Sequence, residues 1–283
     1  MTSPSTENGR GAPANPAEVL RRSRYHDRFL ERTLKRRSPD VGRGMLRQEW
    51  HYYSALLPEA AAGARVLDLA CGAGLYSLAW AERGAHVTGI DFDQGLLAAS
   101  RARIRELAPG APPPSWAGGD AARLPFRTGA FDVVFCNSLL EHVPPWEAVV
   151  RESARVLRPG GLFIVYTTNR ACPLQAEVNH FPFYSWLPDP VQRRVLAWIM
   201  EHRRDMVNWT DFPAINWFTF PRMRKAFSAA GLEPFDRLDL IARRGGRGAR
   251  GALARAFTRA PALKWVYYLY AISMGIYGVK RGS

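Results

Sequence analysis

The chain has 283 residues, 47% of them hydrophobic, and a formal net charge of +14 from 39 Lys or Arg against 25 Asp or Glu. That length allows one large domain, or one domain with an insertion, with enough apolar side chain for a core. Three cysteines (Cys71, Cys136 and Cys172) at no metal-ligand spacing argue against a disulfide framework and fit a reducing compartment.

The net charge raises nucleic acid as a partner, and its distribution argues against one. Only four of the 39 basic residues are lysine (Lys35, Lys225, Lys264 and Lys280), an arginine bias with no binding face attached. Nine basic groups and no acid fall in residues 241–283, while the middle of the chain is close to balanced. No continuous apolar segment near the N-terminus marks a secretory leader. The longest uncharged run near the end, residues 265–279, is shorter than the roughly 20 residues a spanning helix needs. A cytoplasmic protein is expected.

Residues 1–18 are rich in Ser, Thr, Pro, Gly, Asn and Ala and read as a disordered tail. Residues 19–40 read as a basic helix, with a solvated face favoured over contact with a membrane surface. Residues 45–57 read as a helix stopped by Pro58, with Trp50, Tyr52 and Tyr53 either lining a pocket or in the core. The apolar run 66–69 is a buried parallel strand. Gly72 and Gly74 then permit a tight turn and close approach of a ligand to the backbone. Leu75, Leu78 and Ala79 start a helix, and 85–90 is the second strand, with Asp91 at its carboxyl end.

Ligands of open α/β sheets bind outside the carboxyl ends of the strands. Asp91 there can accept two hydrogen bonds from the vicinal hydroxyls of a ribose. The dinucleotide fingerprint Gly-x-Gly-x-x-Gly is incomplete, because Ser77 stands at its third position. Asp68, inside the first strand, would sit badly beside a pyrophosphate and well beside a cation.

Further on, 94–107 is a helix and 116–119 a short third strand leading into Gly119-Asp120-Ala121. Residues 131–137 (FDVVFCN) form the fourth strand, 146–157 a helix, and LRPGG turns the chain into a fifth strand over 162–168. Residues 169–219 are too long for a plain connection. They hold a helix with Asp189 as N-cap, Pro190 in its first turn, and an apolar stripe of Val191, Val195 and Ile199. Trp209, Trp217 and Phe218 follow, so this segment reads as an aromatic lid shaping an apolar acceptor pocket, some of its rings forming a satellite core. A helix over 222–230, a sixth strand over 232–241, a flexible basic loop over 243–251, a helix over 253–268 and a last antiparallel strand over 274–280 complete the chain.

The run Asp-Leu-Ala-Cys-Gly-Ala-Gly, then Asp91, Gly119-Asp120-Ala121, and FDVVFCNSLLEHV followed by a helix, LRPGG and a strand together resemble class I S-adenosylmethionine (SAM) methyltransferases. The resemblance is to the small-molecule branch that includes the ubiquinone and menaquinone biosynthesis enzymes. It covers residues 60–170 well and the rest loosely.

It implies a Rossmann-like, doubly wound α/β fold with a seven-stranded, mostly parallel sheet and an α-rich aromatic insertion after the fifth strand. Residues 19–283 would then be one methyltransferase domain: core 60–170, substrate lid 169–219, C-terminal strands and basic loop 220–283. The resemblance also implies SAM as cofactor, held by Asp68 near the methionine end, Gly72, Gly74, Asp91, Asp120 and Ala121 at the adenine, and Asn137.

Where methylases of nucleic-acid exocyclic amines often carry Asp/Asn-Pro-Pro-Tyr/Phe, this chain has Asn137-Ser138-Leu139-Leu140. A small aromatic or lipid-like acceptor, methylated on oxygen ahead of carbon, is expected instead. His142 and His180 are the candidate bases. Some quinone O-methyltransferases place a glutamate three residues before a Glu-His pair as a metal ligand. Ser138 stands there, so no metal is expected.

A SAM-binding regulatory protein without turnover is the alternative, because motif residues bind cofactor without proving catalysis. An RNA methyltransferase rests on charge alone. Trp265, Tyr268 and Leu269 share a helical face expected to pack on the domain, while 243–259 leaves room for weak peripheral contact with an anionic membrane. The oligomeric state is not legible.

Overall fold

The computed structural model describes residues 40–56, 61–107, 110, 112–174, 177–207, 213–243 and 249–282. The expected tail over 1–18, most of the basic helix over 19–40, Trp209 and the centre of the basic loop lie outside the described residues.

The sheet has seven strands in the order β3-β2-β1-β4-β5-β7-β6. These are β1 Arg65–Leu69, β2 His86–Asp91, β3 Ser115–Gly118, β4 Phe131–Asn137, β5 Leu157–Thr168, β6 Leu232–Asp236 and β7 Ser273–Lys280. The first five run parallel, and β7 runs antiparallel to both β5 and β6. Strand order reverses direction between β1 and β4, and at such a switch point the loops diverge and leave a crevice.

Side chains alternate between two cores. Leu67, Leu69, Val134, Cys136, Phe163 and Val165 point to one, under helices α4 (Trp146–Val156) and α6 (Phe220–Ala229). Val66, Val133, Phe135, Leu162 and Ile164 point to the other, under α1 (Asp40–Leu56) and α2 (Leu75–Ala81). This period of two with both faces covered explains why the parallel strands read as unbroken apolar runs. Tyr53 is core, stacked on Trp80 with ring centroids 5.9 Å apart and T-shaped to Trp50 at 6.3 Å. The pocket reading of the α1 aromatics therefore fails for Tyr53. A third helix, α3 (Gln94–Leu107), follows β2, and its N-terminus is capped by Asp93 Oδ1, which accepts the N–H groups of Gly95 and Leu96.

Four expected elements need correction. The fifth strand starts five residues early, taking in LRPGG beyond a register shift against β4. The sixth strand stops at Asp236, where α7 (Arg237–Arg243) begins. There Asp236 Oδ1 accepts the N–H of Asp239, and Asp239 Oδ2 accepts the N–H of Asp236. This reciprocal capping box starts a helix where LEPFDRLDLI fits either period.

Asp189 is the first residue of α5 (Asp189–His202), not its cap, and its carboxylate accepts from Arg170 Nη1 at 2.7 Å. The buried face of α5 is Gln192, Leu196 and Ile199, with Val195 partly buried against the same core, so of the expected stripe only Val191 lies outside it. The expected helix over 253–268 is two, α8 (Ala249–Arg259) and α9 (Pro261–Tyr270), because Pro261 cannot donate into a continuing helix and suits a first turn.

The insertion after β5 has its own small core of Val178, Tyr184, Leu196, Ile199, Val207, Ala214 and Trp217. Phe218 instead joins the main core, T-shaped to Trp146 at 5.0 Å. Of the expected packed face on α9, Tyr268 is buried against Phe220, but Trp265 and Leu269 are exposed.

Candidate active site

The loop after β1 turns through three left-handed residues, Ala70 (φ 53°), Gly72 (φ 53°) and Gly74 (φ 74°). A Cβ on Gly74 would lie 3.1 Å from both Ser100 and the Trp116 ring, so only glycine lets the loop close on α3 and β3. Gly72 has open space where its Cβ would be. The loop is held from β2: Asp91 Oδ2 accepts the N–H of Gly72 at 2.9 Å, and Asp91 Oδ1 accepts the N–H of Asp93 at 2.9 Å. Ser100 Oγ reaches Gly72 O at 2.7 Å.

Asp68 is only 2% exposed and accepts from Ser77 Oγ at 2.5 Å. Burial pushes its carboxyl up to about 7, the Ser77 bond opposing and the charge of Asp91 adding. Burial also raises Asp91, against the backbone N–H groups of Asp93 and Gly72. Two carboxylates thus share a buried corner with no cation beside either among the described residues. Such a corner repels phosphate and attracts a positive ligand.

At the end of β3, Asp120 is exposed and Oδ1 accepts the N–H of Ala122 at 2.8 Å, leaving its second oxygen and the neighbouring Ala121 at the rim. A cavity of about 220 Å³ lined by Arg65, His86, Pro113 and Phe131 lies at the amino ends of the strands, away from this corner.

Beyond β4, Asn137 Nδ2 donates to Ser138 Oγ at 3.3 Å, and Ser138 is left-handed at φ 53°. Glu141 is 1% exposed and accepts from Thr167 Oγ1 at 2.8 Å. Burial lifts its carboxyl to about 7, with His142 pulling down and Glu177 of the insertion pushing up. His142 Nδ1 is buried without a hydrogen-bond partner. The insertion clamps this loop: Ile215 and Asn216 donate their N–H groups to Glu141 O, and Asn216 Nδ2 donates to Leu140 O and Val143 O. His180, the other candidate base, is exposed in a left-handed turn at φ 60° with no hydrogen bond among the described residues.

Residues 67–165 match a family model described as a methyltransferase domain. Over these residues the chain is similar to a methyltransferase domain. Two curated relatives carry the name ubiquinone biosynthesis O-methyltransferase. That of Marinobacter nauticus is 42% identical over 109 residues, 38% of this chain and 46% of the relative. That of Aromatoleum aromaticum is 35% identical over 157 residues, 56% of this chain and 64% of the relative. The chain thus spans about half to somewhat under two thirds of the length of these relatives. A solved SAM-dependent methyltransferase from Mesorhizobium loti shares the fold, with a TM-score of 0.52 at 18% identity over 82% of this chain and 97% of that one.

Within the matched region, Asp68, Gly72, Gly74 and Asp91 come together in one corner, whereas Asp120, Asn137 and His142 stand along the rim of strand ends. Among the described residues His180 shares no hydrogen bond with either group. Four residues escaped sequence reasoning. Ser77, read only as a failed fingerprint position, holds Asp68. Ser100 and Trp116 shape the glycine loop, and no local signal marks them. Glu141 had a signal, its place beside His142, but nothing nearby in sequence reveals its burial. Among the described residues no group of three His, Cys, Asp or Glu side chains is arranged to hold a metal.

Proposed function

We propose that this methyltransferase domain binds SAM and methylates an oxygen of a small aromatic or lipid-like acceptor. The observation that carries the reading is the anionic, cation-free corner of Asp68 and Asp91 around a left-handed glycine loop. The residues fit the group: Asp91 has lone pairs left for ribose hydroxyls, Gly72 leaves room for close approach, and the buried acids suit a ligand with positive charge. The names of the relatives support an O-methylated quinone-type acceptor.

SAM, when bound, supplies a methyl group already activated by sulfonium. The protein has to orient the acceptor, exclude water and accept a proton. Asp120 and Ala121 would hold the adenine edge, and Asn137 the methionine side. His142, on the clamped loop, would accept the acceptor's proton. The insertion over 169–219 would form the acceptor wall, with residues 220–283 completing the domain.

Incubation with methyl-labelled SAM and a lipid extract should place label in a small organic product. Cofactor binding with no labelled product would favour the non-catalytic alternative, and label in RNA would revive a nucleic-acid substrate.

A pH test addresses the corner itself. A cationic ligand favours ionised Asp68, so affinity for S-adenosylhomocysteine, which carries an ammonium, should rise as pH climbs to about 7 and then level off. Below that pH, calorimetry in buffers of different ionisation enthalpy should detect proton release on binding. Asp68→Asn should abolish it, and release that persists in the variant would assign the proton elsewhere. The sign for folding is opposite. A carboxyl raised from 3.8 to about 7 contributes stability at low pH that is lost as pH rises through 7.

A further inference from the structure

Among the described residues, thirteen large apolar side chains are exposed, and eleven of them lie in the insertion or between Trp265 and Ile272. The two segments meet. Asn169, just past β5, donates through Nδ2 to Tyr268 O at 2.7 Å and Ala271 O at 2.6 Å. Ala171 O accepts the indole N–H of Trp186 at 3.1 Å, and Pro173 O accepts the N–H of Phe183 at 2.8 Å. Residues 169–173 reach roughly 13 Å when extended. They therefore tether Tyr270 and Ile272 (82% and 56% exposed) close to Leu174, Phe183 and Trp186, also exposed.

The patch has built features. Phe183 is held at φ 62°, unusual for a bulky residue, with its ring edge-on to Trp186 at 5.1 Å. The Trp186 N–H is already bonded to the chain, so the indole offers solvent mainly its apolar surface. Folded monomers rarely leave a large apolar patch uncovered.

Charge suggests what covers it. Residues 241–283 hold nine basic groups and no acid. Lys264 is paired with Asp236 and Asp239, but Arg259 is exposed, as are Arg193 and Arg194 on α5. No described helix is long and apolar enough to cross a membrane. Aromatic side chains flanked by arginines suit the headgroup layer of an anionic bilayer.

We infer that this face docks on an anionic lipid bilayer, with the carboxyl end of β5 turned toward the membrane. The choice of a bilayer over another partner rests in part on the lipid-like acceptor proposed above. Docking would let such an acceptor reach the site without crossing water.

The test uses the full chain and vesicles of phosphatidylcholine with about one third phosphatidylglycerol. The protein should sediment with them, and high salt should weaken binding without abolishing it. The triple variant Leu174→Ser/Tyr270→Ser/Ile272→Ser should bind at least about ten-fold less, because three apolar side chains no longer leave water. Its affinity for S-adenosylhomocysteine should match the parent's. Should the variant fail to fold, quenching of parent tryptophan fluorescence by nitroxide-labelled lipid decides: quenching supports docking, and none overturns it.

Docking is also overturned if the parent does not sediment, if the folded variant binds as well as the parent, or if light scattering shows a dimer that the variant dissolves. A parent that sediments but binds no S-adenosylhomocysteine supports docking and counts against the methyltransferase reading alone.

Discussion

Asp91→Ala weakens S-adenosylhomocysteine binding by roughly a hundred-fold or more, with little change in melting temperature. In the free protein one carboxylate oxygen accepts the N–H of Gly72 and the other that of Asp93, and lone pairs remain for ribose hydroxyls. A hydrogen bond to a charged group contributes about 1.5–3 kcal/mol, so two lost hydroxyl contacts reach about 3 kcal/mol or more. Folding loses less. Burial already disfavours the ionised Asp91, and removing it relieves that cost, which offsets the loss of an acceptor for the buried Asp93 N–H and the part-buried Gly72 N–H. Asp91→Asn keeps one acceptor and should lose only about ten-fold. Calorimetric titration of both variants checks this, and an unchanged affinity for the alanine variant would remove Asp91 from the cofactor site.

Glu49→Ala produces the largest loss of stability. Glu49 sits buried on α1, and Oε2 accepts from the hydroxyls of Tyr166 and Tyr277, each at 3.0 Å, and from Arg237 Nε at 3.2 Å. Arg237 Nη2 donates to Oε1, and the Tyr53 hydroxyl is 2.7 Å from that of Tyr166. One carboxylate thus joins α1, β5, β7 and α7. Its removal leaves a guanidinium and a group of buried hydroxyls short of an acceptor.

Breaking a buried ion pair costs about 3–5 kcal/mol, and partial exposure of Arg237 puts this one at about 3. For a domain of this size that lowers the melting temperature by roughly 5–6 °C. Glu49→Gln keeps an acceptor and should lose less. The effect should also reach the cofactor, because Gly42 of α1 packs on the backbone at Leu75 where the glycine loop becomes α2. A few-fold weaker S-adenosylhomocysteine affinity should accompany the lower melting temperature. An unchanged thermal melt would mean that the cluster stabilises no more than the hydration it displaces.

The sequence by itself determined most of the sheet and the acidic corner at the glycine loop. Strands β1, β2, β4 and β5 are apolar runs between glycine and proline signals, and that signal is local. Gly72, Gly74, Asp68 and Asp91 lie within one β-loop-α-β unit, so their meeting follows from the chirality and short connections of that unit.

The tertiary structure decided the rest. Leu232 to Ile241 suits a strand or a helix by periodicity, and two aspartates bonding each other's backbone choose the helix from Arg237. Trp265, Leu269 and Tyr268 look alike along α9, yet only Tyr268 finds a partner surface, at Phe220. The insertion could not be divided into satellite core and exposed rim, because Asn169 and Asn216 link residues far apart in the chain. The raised carboxyls of Asp68 and Glu141 were hidden for the same reason. Backbone preference is written in neighbouring residues, whereas desolvation is set by whatever the fold brings alongside.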